Sequence, residues 1–148
     1  MPSEKSCGAV IFRQEGKKIL YLLLKYKKTS KEEYYYDFPK GHVEKGEEEL
    51  DTTRREVEEE TGIKNVKFIE GFKERIHYFF KWKGETISKD VIFFLAETKT
   101  EKVHTSTEHY GFKWLPYEEA MEATSYKNAK EILEKANKFL DSGLRKFM

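Results

Sequence analysis

Cysteine is almost missing: Cys7 is the one thiol in 148 residues. A lone cysteine excludes an intramolecular disulfide and a cysteine-only zinc site. Long apolar runs are missing too. No stretch approaches the ~20 apolar residues that a membrane span needs. Met1 to Cys7 lacks the apolar core of a signal peptide. Nor is there an excess of one charge, since 28 basic and 27 acidic residues leave a net +1. That balance gives no global pull toward nucleic acid or anionic lipid. No repeat, linker or break in composition divides the chain. These absences together predict a cytoplasmic protein with no membrane and no stable nucleic-acid partner. They predict one domain over residues 1–148, monomeric or at most a weak dimer.

Charge of both signs is abundant. Charged residues make up 37% of the chain and hydrophobic residues 38%, against usual shares of about 25% and about 45–50%. Disorder needs low hydrophobicity together with high net charge. Here the charges cancel and 15% of residues are aromatic, which argues for a folded core. A chain this long buries roughly 68–70% of its unfolded surface, so it needs no staple.

The patterning predicts strands alternating with helices. Cys7 to Phe12 and Ile19 to Leu24 read as strands of a hairpin around Glu15-Gly16-Lys17-Lys18. Lys25 to Asp37 is polar and tyrosine-rich and reads as a loop. Glu48 to Glu60 holds good helix formers closed by Gly62, with Leu50, Thr53 and Val57 on its inward stripe. Val66 to Lys81 and Thr86 to Lys99 form a second hairpin around Lys83-Gly84. His77 to Phe80 and Val91 to Leu95 supply most of the expected aromatic core. Phe112 to Leu115 is a short strand ended by Pro116, and Tyr117 to Ala123 form one or two helical turns. Ser125 is positioned to cap a last helix. Its core stripe is Ala129, Ile132, Leu133, Ala136, Phe139 and Leu140. Strands, helix, strands, helix predict a mixed α/β domain with a sheet between helices.

The chemistry concentrates on the first helix. Glu56, Glu59 and Glu60, spaced i, i+3, i+4, share one helical face. Arg55 reaches Glu59 at i+4 but neutralises one charge only. A hard divalent cation such as Mg²⁺ or Mn²⁺ would relieve the repulsion, since it prefers oxygen ligands. A solvated acidic face is the plain alternative for the three glutamates alone. It leaves Gly41, Arg55 and Gly62 unexplained. His77, His104 and His109 have no zinc spacing, and Cys7 in its strand should be buried and inert.

Residues 41–63 satisfy the pattern G-x5-E-x7-R-E-U-x-E-E-x-G-U, with U a bulky aliphatic, at Gly41, Glu47, Arg55, Glu56, Val57, Glu59, Glu60, Gly62 and Ile63. This resembles the signature of the Nudix hydrolases. The resemblance implies an α/β/α sandwich with a mixed central sheet. It also implies divalent-metal chemistry, with Mg²⁺ as cofactor and Mn²⁺ as a substitute. Glu56, Glu59 and Glu60 would be metal ligands, the backbone at Gly41 another, and Arg55 the partner that holds a carboxylate in place. Gly41 would also allow a tight turn, and Glu47 would lie near the positive end of the helix dipole. Water would attack one phosphorus and break a phosphoanhydride.

Phe38-Pro39-Lys40-Gly41-His42-Val43-Glu44, Ile69-Glu70-Gly71-Phe72-Lys73 and Thr107-Glu108-His109 ahead of Phe112-Lys113-Trp114-Leu115 are similar to the asymmetric diadenosine tetraphosphate hydrolases within that family. The expected substrate is then a dinucleoside polyphosphate, cut to ATP and AMP. Lys40, His42 and Lys89 are candidates to meet the polyphosphate, each otherwise a surface charge. Tyr78 is a candidate on the phosphate chain, or else sheet packing. Tyr126 is a candidate stacking partner for a base, with Tyr34, Tyr35 or Tyr36 across from it. Glu108 is a candidate further metal ligand or water-activating base, or else a surface glutamate. The tyrosine-rich loop departs from the family's pattern, so the preferred base stays open. Two further readings stand beside this one. One is another Nudix pyrophosphohydrolase acting on RNA 5′ ends or nucleoside diphosphate sugars. The other is a non-catalytic nucleotide-binding module, which loss of box carboxylates would favour; none is lost.

Overall fold

A computed structural model describes residues 1–28, 32–106 and 109–145. Its seven strands and three helices follow the order β1 (Ser3–Glu15), β2 (Lys18–Lys27), β3 (Tyr34–Asp37), β4 (Lys40–His42), α1 (Glu49–Thr61), β5 (Lys67–Trp82), β6 (Glu85–Glu97), β7 (Phe112–Pro116), α2 (Tyr117–Ala123) and α3 (Lys127–Arg145). One mixed sheet runs β3-β2-β1-β6-β5, with β4 added to β1 and β7 to β2. The β1–β6 pairing is parallel, from Ser3↔Ser88 to Phe12↔Glu97, and every other pairing is antiparallel.

The central strand explains the layers. Successive side chains of a strand face opposite ways. In β1, Val10 and Phe12 join Phe93, Leu133 and Ala136 beneath α3. Ala9 and Ile11 join Val57, Ile63 and Val66 beneath α1. A strand buried on both faces reads as continuous hydrophobics, as Cys7 to Phe12 does. Each fully buried aliphatic or aromatic side chain contributes roughly 1.5–3 kcal/mol. The two faces are thereby glued to α3 and α1, and the expected α/β/α sandwich results. Among the described residues no helix is long and apolar enough to cross a membrane.

Local signals set the elements. Gly62 ends α1 at φ 76°, its N–H donating to Glu58 O at 2.9 Å. Lys83 and Gly84 both have positive φ (51° and 80°), as a tight hairpin turn requires. Cys7 is fully buried, and burial pushes its thiol up to about 11, so it is inert as expected.

Four expectations fail in detail. Residues 34–37 form strand β3, pairing Tyr34–Asp37 with Lys27–Leu24; β-forming tyrosines outweigh the polar setting. Leu50 is exposed while Thr53 and Val57 are buried; the first turn of α1 meets the sheet through Glu49, whose carboxylate pairs with Lys5 on β1 and Lys73 on β5. His77 and Phe79 of β5 are exposed, Phe79 to 59%, and are not in the core. Ser125 does not cap α3. Tyr126 precedes the helix, its carbonyl accepting from Lys130 N, and the Ser125 hydroxyl accepts the Tyr36 N–H at 3.2 Å. That bond ties the start of α3 to β3.

Candidate active site

Strand β4 and helix α1 meet at Gly41. On β4, Lys40 and His42 face one way and Gly41 the other. A Cβ at Gly41 would lie 2.0 Å from the Glu56 carboxyl carbon. Gly41 is not among the glycines with positive φ. The expectation that it permits a tight turn is therefore corrected: it is glycine because the Glu56 carboxylate lies against the backbone there. The turn is made by Gly46, at φ 85°.

Arg55 organises the carboxylates. Its Nε donates to Glu47 Oε2 at 2.6 Å and its Nη2 to Glu47 Oε1 at 3.0 Å. Nη1 donates to Glu56 Oε1 at 2.8 Å and to Glu59 Oε2 at 3.2 Å. Nη2 also donates to the carbonyl of His42 at 3.0 Å. The principal partner is thus Glu47, eight residues away, more than Glu59 on the same helix. Thr52 Oγ1 and the Glu44 N–H also donate to Glu47 Oε1. Arg55 first, with these donors, holds the Glu47 carboxyl down to about 2.

Glu56 is driven the opposite way, to about 7, first by burial and then by the adjoining Glu60 carboxylate; the Arg55 contact offsets only part. Glu60 is 5% exposed. Its Oε2 is buried without a hydrogen-bond partner. Oε1 faces two groups. The Tyr26 hydroxyl lies at 3.5 Å, and His109 Nε2 at 3.0 Å is within ion-pair distance but off hydrogen-bond alignment.

These features fit a hard divalent cation. The donors are carboxylate oxygens, one buried oxygen has no hydrogen-bond partner, and Gly41 lets the Glu56 carboxylate lie against the backbone. Among the described residues no three such acidic or imidazole groups converge as they stand, and Arg55 Nη1 draws both Glu56 and Glu59 to itself.

On the α3 side of the sheet lies a cleft of about 360 Å³, lined by Tyr35, Asp37, Lys40, Tyr78, Tyr126 and Asn128 among others. Three candidates named from the sequence, Lys40, Tyr78 and Tyr126, therefore meet in one place. Of the three neighbouring tyrosines, Tyr35 is the one across from Tyr126, ring centroids 5.1 Å apart and edge-on. Tyr35 also stacks on Tyr26 at 5.1 Å and 10°. Tyr26 meets His109 edge-on at 4.6 Å. An aromatic chain thus joins the cleft to Glu60. Lys40 Nζ donates to Asp37 Oδ2 at 3.0 Å. Burial works against the Lys40 charge, but Asp37 outweighs it and holds the ammonium above its usual range.

His42 and Lys89 lie apart from the lining of this cleft. Lys89, on β6 opposite Tyr78, has its Nζ 3.1 Å from Glu4 Oε2 and 3.1 Å from His42 Nε2. Tyr34 and Tyr36 sit elsewhere, under Lys25 and Lys113. Glu108 lies outside the described residues. Sequence reasoning missed Tyr26, Asp37 and His109. Tyr26 is hidden at the end of an aliphatic strand. Asp37 carries no signal beyond a polar residue beside a motif, and His109 lies in a segment of the resemblance that gives it no role.

The sequence pattern of the NUDIX domain matches residues 2–136. The asymmetrical bis(5′-nucleosyl)-tetraphosphatase of Mus musculus is 36% identical, the alignment covering 93% of this chain and 96% of that protein. A crystal structure of a C. elegans Ap4A hydrolase binary complex superposes with a TM-score of 0.80 at 32% identity, covering 94% of this chain and 98% of that one. An RNA pyrophosphohydrolase of Bartonella quintana is 35% identical over 56% of this chain and 49% of its own length.

Proposed function

We propose that this chain, which belongs to the NUDIX domain family, hydrolyses dinucleoside polyphosphates, cutting diadenosine tetraphosphate into ATP and AMP. The observation that carries this reading is the aromatic chain from Tyr126 through Tyr35 and Tyr26 to the edge of the carboxylate cluster. It sets a place for a base beside a place for phosphate chemistry. Relatives that bear the tetraphosphatase name align over nearly the full chain, whereas the RNA pyrophosphohydrolase relative aligns over about half.

Glu56, Glu59 and Glu60, with the backbone at Gly41, would hold Mg²⁺, or Mn²⁺ in its place. Such ions, when bound, neutralise phosphate oxygens and lower the pKa of water. Arg55 orients Glu47, Glu56 and Glu59 and so keeps the ligand face in register. Lys40, His42 and Lys89 take phosphate oxygens, Lys89 by releasing Glu4. Tyr78 borders the phosphate chain, and Tyr126 and Tyr35 enclose a base. Glu108 is the proposed water-activating base or further ligand. The protein works in the cytoplasm as a single domain over residues 1–148, as a monomer or weak dimer.

Two substitutions separate these roles. Tyr126→Ala removes one base contact, worth about 1–3 kcal/mol. It should raise KM by about tenfold or more and leave kcat within twofold; unchanged KM removes Tyr126 from the site. Gly41→Ala forces the Glu56 carboxyl away by more than 1 Å, a displacement that costs on the order of 10²-fold in rate. Its kcat should fall by that order with the fold retained. Substrate class is tested by comparing kcat/KM for diadenosine tetraphosphate, ADP-ribose, nucleoside triphosphates and 5′-triphosphorylated RNA. The dinucleotide should lead the panel; RNA ahead of it would favour the pyrophosphohydrolase reading.

A further inference from the structure

We infer that His109 is a positioning residue, whose imidazole fixes the Glu60 carboxylate so that one oxygen is engaged and the other left free. The inference rests on the reading of Glu60 as a metal ligand and adds a residue that the signature does not contain.

His109 is 6% exposed and Glu60 5%, so neither takes its partners from bulk water. The imidazole is held from several sides. Its Nδ1 lies 2.8 Å from Ser106 Oγ, and the His109 N–H donates to Ser106 O at 3.1 Å. The next residues are locked to β2: Tyr110 N–H donates to Lys25 O, and Lys25 N–H to Gly111 O, each at 2.9 Å. The Tyr26 ring packs edge-on against the imidazole. Ser106 thus accounts for Nδ1. Nε2 has no hydrogen-bond partner and lies 3.0 Å from Glu60 Oε1, within ion-pair distance but off hydrogen-bond alignment. The tautomer with the proton on Nε2, and Nδ1 accepting from Ser106, puts an N–H on the nitrogen nearest Oε1, which a small turn of either side chain would align. The Tyr26 hydroxyl approaches the same oxygen at 3.5 Å while donating to Phe38 O at 2.8 Å. Both groups lie on the Oε1 side, and Oε2 stays buried and unpartnered. A buried imidazole without a role would be expected to fill both nitrogens with ordinary hydrogen bonds. Here Nε2 has no aligned partner and faces a buried carboxylate oxygen at 3.0 Å instead. Groups that orient a metal-binding side chain this way typically change metal affinity or activity about 10–100-fold when removed.

The test separates donation from packing. His109→Phe keeps an aromatic ring against Tyr26 and removes the nitrogen. His109→Gln removes the ring and keeps an amide donor near the Nε2 position. Mn²⁺ binding to the full chain without substrate is read from the loss of the free-ion paramagnetic signal. Apo melting temperatures are recorded alongside. His109→Phe should raise the half-saturating Mn²⁺ concentration by about tenfold or more, and His109→Gln should stay within about threefold of wild type. With Mn²⁺ saturating, His109→Phe should lower kcat while KM stays within twofold. A folded His109→Phe that binds Mn²⁺ like wild type overturns the inference, and so does a folded His109→Gln that loses as much affinity as the phenylalanine variant. Should His109→Phe fail to fold, the glutamine result alone decides. Wild type that binds Mn²⁺ but leaves the dinucleotide intact counts against the substrate reading, and the metal midpoints still decide the role of His109.

Discussion

Glu56→Gln and Glu60→Gln should each lower kcat for the dinucleotide by on the order of 10²–10³-fold or more, the loss typical of removing one electrostatic stabiliser from an active site. The fold should survive both changes. Glutamine is nearly isosteric, and α1 is anchored independently by Val57, Thr53 and the Gly62 cap. Apo stability carries a second signature. The Glu56 carboxyl is raised to about 7, above an unfolded value near 4.3. The native state therefore holds the proton more tightly. Its contribution is fully present below about pH 4 and is lost as pH rises through about 7. Metal-free Glu56→Gln should melt at or above wild type at pH 8, and the order should reverse near pH 4–5. Thermal unfolding across pH 4–8 with a chelator present reads this directly. Near-normal turnover in either variant at saturating Mg²⁺ would remove that carboxylate from the metal site.

Arg55→Lys should be the next most damaging conservative change. The guanidinium donates five hydrogen bonds, to Glu47 twice, Glu56, Glu59 and the His42 carbonyl. One ammonium cannot reproduce the forked pair at 2.6 and 3.0 Å on Glu47. Turnover should fall by about 10–100-fold, comparable to loss of an orienting partner. The apo melting temperature should also fall, because Glu47, Glu56 and Glu59 lose the shared cation that draws them together. Glu47→Gln should reproduce much of the kinetic defect, since the amide offers one acceptor oxygen where the guanidinium donates to two. Arg55→Lys with wild-type kcat would make Arg55 a surface charge only.

The signature helix was legible because its constraints are local. Its expected span, Glu48 to Glu60, differs by one residue at each end from Glu49–Thr61. Both hairpins were legible from apolar, β-forming runs around Gly16 and Gly84, continuous in the first. The site was legible where it coincided with the pattern: the partnership of Arg55 with carboxylates follows from residue type and spacing. That Glu47 is its main partner depends on how β4 feeds into α1 across Gly46. The role of Gly41 could not be read, because glycine for space and glycine for a turn look alike in sequence. His109 was assessed for zinc and set aside. Its meaning comes from residue 60, brought to it by the packing of the β6–β7 connection on α1, where His104 N–H donates to Thr61 O. Leu50 and Phe79 differ from expectation because apolar character alone does not imply burial.

The central claim is asymmetric, metal-dependent cleavage of a dinucleotide, and product stoichiometry tests it most directly. Diadenosine tetraphosphate incubated with the protein and Mg²⁺ should give ATP and AMP in equal amounts, with no turnover when a chelator replaces the metal. Two molecules of ADP, or hydrolysis undiminished by the chelator, would contradict it.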